Sequence, residues 1–308
     1  MKCVLIINPK SGRGFKKNNI DRLESILKKY KYTYEIYLTK YKYRATSIIE
    51  NLNDDVDLVI SMGGDGTFSE VMNGNLNRKK KLVLSHLPLG TMNDVGHMYG
   101  LTSNLWTNLK LILTGVNKSI DVGLINEHAF TYVASYGKYM DIPYKTPQEL
   151  KKKIGNFAYV FEVLKKIYQR IPKYDVEFKV DGKFNKGKYS FILISNANRI
   201  AGINNFYKDM KLDDYKFEVM FCSLYKKIDI LKAFYSLKTN HLEKVDGIEC
   251  YKCSNLELKI LNDKKSWCVD GEEYKNNSND YHITLRKNVK IRIPKKNVKK
   301  LFIDNSIQ

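Results

Sequence analysis

The sequence predicts an α/β half with a parallel sheet, followed by a mainly antiparallel β half that forms a sandwich. Up to about residue 122, apolar runs of strand length alternate with stretches whose apolar residues recur at helical spacing. Beyond that point the runs are rich in β-branched and aromatic residues and are separated by polar turns. The chain has 308 residues, of which 43% are hydrophobic, so it is long enough for two packed domains and is not a disordered protein.

Each element of the first half follows from its own apolar pattern. We expect strands at residues 2–7, 32–38, 57–62 and 82–87, and helices at residues 20–30, 45–52, from about 67, and 105–113. The strand segments are nearly continuous apolar runs, which is typical of parallel strands buried on both faces. Helices that alternate with such strands cover the two faces of the sheet.

The second half contains a series of strand-like segments and one clear helix. Strands are expected at residues 128–135, 175–180, 189–195, 217–222, 255–260 and 281–285, with a late strand at 289–293. The helix is expected over residues 147–171, because Thr146 and Glu149 form a capping box with Pro147 at the first helical position. Its basic face suits an anionic membrane, although the same pattern suits a solvated face on a helix packed against the sandwich.

The charge balance is strongly basic. Lys and Arg number 53 against 33 Asp and Glu, which gives a formal net charge of +20. Such an excess indicates a nucleotide, nucleic acid or acidic membrane as partner, although the coding bias of an AT-rich genome produces the same composition.

The cysteines and the apolar runs together predict a cytoplasmic protein. The five cysteines are odd in number and mostly scattered, so we expect a reducing compartment and no disulfide framework. Cys250 and Cys253 have metal-type spacing, but no second pair accompanies them. No segment approaches the ~20 apolar residues of a membrane span.

The sharpest motif is Gly-Gly-Asp-Gly-Thr at residues 63–67, between a predicted strand and a predicted helix. Consecutive glycines let backbone N–H groups approach a phosphate, and the helix N-terminus adds partial positive charge. Asp65 would repel a phosphate unless a cation lay between them, so its presence suggests Mg²⁺. The alternative is an ordinary glycine-rich turn in which Asp65 caps the helix.

Two further loops follow strands of the same sheet. Residues 8–14 follow the first strand and match neither a Walker loop nor a dinucleotide-binding loop, and residues 88–94 follow the fourth strand. Because the carboxyl ends of parallel strands meet at one edge of a sheet, the three loops together predict a polyphosphate site.

Five motifs, in order, carry a resemblance to a known family. They are NPKSGRG at residues 8–14, GGDGTFSEV at 63–71, PLGTMNDV at 88–95, DVG at 121–123 and VDGE at 269–272. In these motifs the chain resembles the bacterial diacylglycerol kinase and sphingosine kinase catalytic family. The resemblance implies a phosphofructokinase-like or NAD-kinase-like α/β domain over residues 1–122, rejoined by about 288–308, and a lipid-substrate β-sandwich domain over 123–287.

The resemblance also implies an activity, the transfer of phosphate from ATP to the hydroxyl of diacylglycerol or a related membrane lipid. Asp65, Asp94 and Asp121 would form the acidic network that places the catalytic Mg²⁺, and Glu272 would be the base that accepts the hydroxyl proton. Without the resemblance, Glu272 reads as an exposed residue at a hairpin tip. The residues implied to bind the nucleotide are Asn8, Pro9, Lys10, Ser11, Gly12, Thr39, Gly63, Gly64, Asp65, Gly66, Thr67, Phe68, Ser69 and Thr91.

A second, structural Mg²⁺ is implied by the segment at residues 211–216. The ligands would be the carboxylate of Asp214 and the carbonyl groups of Lys211 and Lys216, and the alternative is a solvated Asp-Asp turn. The sequence departs from the family pattern at two places: Ser69 stands where an Asn is frequent, and Tyr215 where a Gly is frequent.

The resemblance implies a membrane lipid substrate, peripheral association of a cytoplasmic enzyme with anionic membrane, and a homodimer. An NAD kinase also carries a GGDGT loop, but it predicts neither the motif at 88–95 nor that at 269–272. A non-catalytic basic protein that binds membrane or nucleic acid is compatible with the charge. We expect no nucleic-acid partner, because the sequence has no RRM, zinc-finger or helix-turn-helix pattern.

Overall fold

The computed structural model describes residues 1–12, 15–137, 171–204, 206–207, 209–226, 228–229, 232–233, 236, 245–263, 266–304 and 306. These residues form two compact units. The first comprises Met1–Ile120, Lys211–Asp213 and Lys287–Gln308, and the second comprises Asp121–Met210 and Asp214–Arg286. The helix expected over residues 147–171 lies outside the described residues, apart from Ile171.

The first unit is built on a parallel sheet with helices between its strands. The strands are β1 (Lys2–Ile7), β2 (Thr33–Leu38), β3 (Leu58–Gly63) and β4 (Leu84–Pro88), in the order β2-β1-β3-β4. The helices are α1 (Ile20–Lys29), α2 (Arg44–Glu50), α3 (Asp65–Asn77), α4 (Asp94–Met98) and α5 (Leu105–Leu113). β3 and β4 are buried along their whole length and β1 at every residue but Lys2, as their nearly continuous apolar runs predict.

The second unit is mainly antiparallel. Its strands are β5 (Val116–Ile125), β6 (His128–Phe130), β7 (Val133–Gly137), β8 (Tyr174–Val180), β9 (Lys183–Tyr189), β10 (Phe191–Ser195), β11 (Arg199–Ile200), β12 (Ile203–Asn204), β13 (Phe217–Cys222), β14 (Ile248–Cys253), β15 (Leu256–Ile260), β16 (Trp267–Val269), β17 (Glu272–Tyr274) and β18 (Asp280–Ile293). β5 and β18 each extend into the first unit, where Ile291 pairs with Leu84 in parallel and a short terminal helix, α6 (Val298–Leu301), follows.

Two sheets pack face to face in the second unit. One has the order β14-β13-β10-β7-β16-β17, and the other includes β18-β15-β8-β9. Their inner faces share one apolar core, in which the rings of Phe178 on β8 and Phe221 on β13 stack at a centroid distance of 4.1 Å. The predicted fold class, an α/β half followed by an antiparallel sandwich, is confirmed.

Several strand predictions in the second half are corrected by the structure. The single strand expected over residues 128–135 is interrupted at Thr131 and Tyr132, because their N–H groups bond to the Asp270 carboxylate. The two strands expected at 281–285 and 289–293 are one strand, β18, which continues through Asn288 at a φ of 61°.

The possible metal pair of cysteines lies on the unpredicted strand β14. Cys250 is exposed and Cys253 is buried, and residues three apart on a strand project to opposite faces. These two thiols therefore do not share a site. Among the described residues, no helix is both long enough and apolar enough to cross a bilayer.

Arg78 ties the C-terminal end of α2 to the end of α3. Its buried guanidinium donates to the carbonyl oxygens of Ile49, Glu50 and Leu52 at 2.8, 3.3 and 2.6 Å, and it pairs with the Asp54 carboxylate at 2.5 Å. Carbonyl groups at a helix end have no partner within the helix, so one side chain satisfies this end of α2.

We expect Arg78→Met to lower the free energy of unfolding by about 2–3 kcal/mol, because it leaves these carbonyl groups without their donor. Denaturant unfolding measures the change. Lys79→Met is the matched control, since Lys79 is adjacent and exposed. Equal midpoints for the two variants would contradict the assignment.

Candidate functional site

Three loops of the first unit lie side by side at one edge of the parallel sheet. They are the loop after β1, the β3–α3 connection and the β4–α4 connection. The registers place the ends of the strands level, since Ile7 pairs with Met62 and Gly63 pairs with Pro88. The prediction that the three loops meet is therefore confirmed in the geometry of this unit.

Glycines allow these loops to touch backbone to backbone. A Cβ on Gly12 would lie 2.0 Å from the Leu89 carbonyl oxygen, and Gly12 also has a φ of +55°. A Cβ on Gly90 would lie 2.6 Å from the Cα of Gly64. Ser11 adds a hydrogen bond, its Oγ accepting the N–H of Gly64 at 3.2 Å. Side chains at Gly12 and Gly90 would separate the loops.

The N-terminus of α3 lies at this meeting point. Gly64 is the N-cap residue that precedes the 13-residue helix, and Asp65 is the first residue of its first turn. Among the described residues, a Cβ on Gly64 would come within 4 Å of the Gly90 Cα alone, at an ordinary 3.5 Å. The amide groups and the dipole of a helix start attract anions, and a phosphate is the anion that glycine loops accommodate.

Asp65 connects two of the loops through its side chain. Its carboxylate accepts the N–H groups of Asp94 and Val95 at 3.0 and 3.1 Å, and so caps the start of α4. The suggestion that Asp65 caps its own helix is wrong, because Gly64 occupies that position and Asp65 caps the next helix. Asp65 and Asp94 are both buried. Because the Asp94 N–H bonds to the Asp65 carboxylate, two of the three predicted acidic residues lie next to each other.

His86 is a residue of this region that the sequence analysis missed. It is fully buried on β4, its ring lies 5.0 Å from that of Phe68, and its Nε2 is 4.0 Å from an Asp65 carboxylate oxygen. Burial lowers the pKa of His86 to about 3, opposed by a backbone hydrogen bond with Ser61, so the ring is neutral. A histidine within a mostly apolar buried strand was the available signal.

The other predicted nucleotide residues of the first unit have definite places. The Asn8 amide donates to the Thr67 hydroxyl at 3.3 Å and accepts the N–H of Lys10 at 3.1 Å. Thr39 is buried at the end of β2, where its N–H donates to the Ile7 carbonyl. Pro9 and Thr91 are half-buried in their loops, whereas the side chains of Phe68 and Ser69 are buried on α3.

Asp121 lies on β5 in the second unit. Its carboxylate accepts the N–H of Tyr215 at 2.7 Å, and its carbonyl oxygen accepts the side-chain amide of Asn196 at 2.6 Å. The buried carboxylate is thus oriented by a backbone group of a sequence-distant turn. The predicted network is distributed over the chain, with Asp65 and Asp94 in one unit and Asp121 in the other.

The VDGE motif is a tight hairpin in the second unit. Asp270 and Gly271 form the two-residue turn, both with positive φ (49° and 84°), and Val269 pairs with Glu272 across it. Such a turn is the type I′ connection that Asp-Gly favours. Glu272 begins β17 and its side chain is exposed, while neighbouring Glu273 accepts a hydrogen bond from Ser266 at 2.8 Å.

The side chain of Asp270 anchors this hairpin, a role that the sequence analysis did not assign. Its buried carboxylate accepts the N–H groups of Thr131, Tyr132 and Val133 at 2.6, 3.1 and 3.2 Å, and the Thr131 hydroxyl at 2.8 Å. Burial raises the pKa of Asp270, and these hydrogen bonds oppose the rise. The tip that carries Glu272 is therefore anchored to the β6–β7 connection.

Asp214, the carboxylate predicted to bind a second Mg²⁺, has other partners. The Asp214 carboxylate contacts the Lys252 ammonium at 2.7 Å and the N–H of Lys216 at 3.1 Å. Lys211 belongs to the first unit, where its ammonium donates to the carbonyl oxygens of Lys299 and Lys300. Within the described part of the chain, no group of three or more His, Cys, Asp or Glu side chains is arranged to hold a metal.

Comparison with known proteins identifies the family. A family model described as the diacylglycerol kinase catalytic domain matches residues 2–125. The diacylglycerol kinase of Staphylococcus epidermidis is 32% identical over 217 residues, which are 70% of this chain and 68% of that protein. The chain belongs to the diacylglycerol kinase family. A Staphylococcus haemolyticus diacylglycerol kinase is 31% identical over 221 residues, 71% of this chain and 67% of its own length.

Membership of this family makes the protein a lipid kinase, a phosphotransferase. A solved diacylglycerol kinase structure from Bacillus anthracis is 25% identical, covers 95% of this chain and 96% of its own, and superposes with a TM-score of 0.77. The stretch matched by the family model includes all three glycine loops and Asp121, whereas Glu272 lies beyond it. The lipid kinase predicted from the motifs is therefore confirmed.

We expect the two facing glycines to respond unequally to one added methyl group. Gly90→Ala should lower the free energy of unfolding by about 1–3 kcal/mol, because its Cβ would overlap the Gly64 backbone. Gly64→Ala meets ordinary van der Waals distance and should cost less than about 1 kcal/mol. Thermal or denaturant unfolding compares them, and equal losses would show that the loops are not packed as described.

Proposed function

We propose that this lipid kinase transfers the terminal phosphoryl group of ATP, with Mg²⁺, to the hydroxyl of diacylglycerol or a related membrane lipid. The observation that carries the proposal is the backbone packing of the three glycine loops around the start of α3. A site lined by bare backbone at a helix N-terminus favours a polyphosphate over a neutral ligand.

The first unit supplies the groups for the phosphates. Ser11 and Thr67 offer hydroxyl groups at the loop junction, and Asn8 holds the Thr67 hydroxyl in place. A Cβ on Gly64 would meet no described atom closer than 3.5 Å, so the backbone at the start of α3 is not crowded there. Binding at these loops depends on main-chain geometry, so it does not select among nucleoside triphosphates by their base. We propose ATP as the phosphate donor.

Asp65 and Asp94 are the residues that fit a divalent cation in the first unit. Both are carboxylates, the hard oxygen ligands that Mg²⁺ takes, and the Asp94 N–H bond to Asp65 brings the two residues together. When bound, Mg²⁺ supplies charge neutralisation for the transferred phosphoryl group. Asp121, in the second unit, stays a prediction from its motif.

Glu272 is proposed as the base that accepts the proton of the lipid hydroxyl. The anchored hairpin presents its carboxylate at the surface, and Asp270 holds the tip without using Glu272 itself. The net charge of +20 suits a lipid substrate in an anionic bilayer, so we place the enzyme peripherally on such a membrane. A homodimer and a cytoplasmic location stay predictions.

Asp65→Asn should reduce lipid phosphorylation by at least about 10²-fold, because it removes a charge that the proposed cation requires. Asn keeps an acceptor for only one of the two N–H groups that Asp65 binds at the start of α4, so a lower melting temperature is also expected, and activity is compared at a temperature where both proteins are folded. The measurement is transfer of labelled phosphate from ATP to diacylglycerol in vesicles that contain anionic lipid, with and without EDTA. Full activity in Asp65→Asn, or in EDTA, would remove the cation from the proposal.

Glu272→Gln should lose about 10²–10⁴-fold in kcat, the contribution of a positioned general base, with little change in ATP affinity. Glu273→Gln is the matched control, since Glu273 is the next residue on the same strand and bonds to Ser266. The same vesicle assay decides between them. A larger loss in Glu273→Gln would move the base by one residue, and two unaffected variants would leave the hairpin without a catalytic role.

A further inference from the structure

An internal ion pair occupies the region where the sequence predicted a second Mg²⁺. Lys252 on β14 stands directly opposite Glu218 on β13. The Lys252 ammonium lies 2.7 Å from an Asp214 carboxylate oxygen and 3.5 Å from a Glu218 carboxylate oxygen. The two carboxylate side chains are only 11% and 7% exposed, so their charges are largely shielded from water.

The ammonium is the counter-charge on which this pair of acids depends. The Lys252 ammonium lies within 3.5 Å of one carboxylate oxygen from each of the two acids, so a single positive charge faces both of them. An uncompensated buried charge is strongly unfavourable. Burial raises the pKa of Glu218 to about 7 even beside the ammonium, so the charge on Asp214 is the one that depends most on Lys252. Here the chain provides the compensating cation itself.

The turn at Asp214 connects Lys252 to Asp121, a residue of the motif at 121–123. Asp214 also accepts the N–H of Lys216 at 3.1 Å, which closes a turn around Tyr215 at a φ of 60°. The N–H of Tyr215 donates to the Asp121 carboxylate at 2.7 Å. A series of short contacts therefore runs from the Lys252 ammonium through the Asp214 turn to Asp121.

We propose that Lys252 takes the place of a structural metal ion in this protein and positions Asp121 through the Asp214 turn. A Mg²⁺ ion binds carboxylate oxygens at about 2.1 Å, and one bound to Asp214 would have to displace the adjacent ammonium. The stability of the second unit is then independent of divalent cations. The positioning part rests on the proposed role of Asp121 in the kinase reaction, whereas the stability part does not.

The first experiment measures melting temperature without nucleotide or lipid, in EDTA and in excess Mg²⁺. Lys252→Met should melt lower than the wild type by on the order of 5 °C in EDTA, and Mg²⁺ should restore part of the loss. Lys179→Met is the matched control, since Lys179 makes a cross-strand pair with Glu257 at 3.0 Å that is half exposed and contributes little. Equal melting temperatures for Lys252→Met and the wild type would overturn the proposal.

A second set of variants distinguishes stabilisation by the Lys252 ammonium from stabilisation by a bound metal ion. If Lys252 is the cation, Asp214→Asn combined with Lys252→Met should melt no lower than Lys252→Met alone, because one of the unpaired acids is removed. Independent, additive losses would contradict the coupling. A Mg²⁺-dependent rise in the wild-type melting temperature that Asp214→Asn abolishes would show that a metal holds the site.

The positioning role has its own readout in the vesicle assay. Lys252→Met should lower kcat at least several-fold with little change in KM for ATP, Lys252→Arg should retain most of the activity because it keeps the charge, and Lys179→Met should match the wild type. An unchanged kcat in Lys252→Met would overturn the positioning role. A wild-type protein without ATP-dependent lipid phosphorylation would instead refute the proposed function, and the melting experiments would still stand.

Discussion

The contact between the backbones of Gly64 and Gly90 sets the geometry of the first unit's site. It brings the β3–α3 and β4–α4 connections closer than any side chain would allow, and the Asp65 carboxylate then reaches the start of α4. With the loops in this position, the backbone of Gly90 lies beside the start of α3. The selectivity of a backbone surface is for charge and size, which suits a phosphate chain.

Carboxylates that hold sequence-distant backbone N–H groups recur throughout this basic chain. Asp65 does so for α4 and Asp270 for the β6–β7 connection. Asp181 and Asp213 repeat the arrangement at Ser254–Asn255 and at Ile303–Asp304. An acid in a loop of this protein therefore has two competing interpretations, a ligand for a cation or a clamp for the main chain. Asp65 combines the clamp, seen in the structure, with the proposed cation.

Sequence reasoning succeeded where local pattern determines structure. Strands β1 and β3 and the glycine loops that follow them could be predicted from the sequence. Burial on both faces and positive φ each restrict which residue types can occupy a position. Sequence reasoning failed where a residue distant in the sequence determines the local structure. The break between β6 and β7 depends on Asp270, well over a hundred residues later, and β9 and β14 are edge strands whose polar residues hide their pairing. The contact between Lys252 and Asp214 likewise could not be predicted from the sequence.

The edge position of β14 gives this protein a natural reporter site. Cys250 is the one exposed thiol among its five cysteines, none of which forms a disulfide. It lies two residues from Lys252, and residues at that spacing share a face of a strand. A maleimide fluorophore attached there, without engineered cysteines, would sit beside the Lys252–Asp214 pair and follow its environment during ligand binding or unfolding.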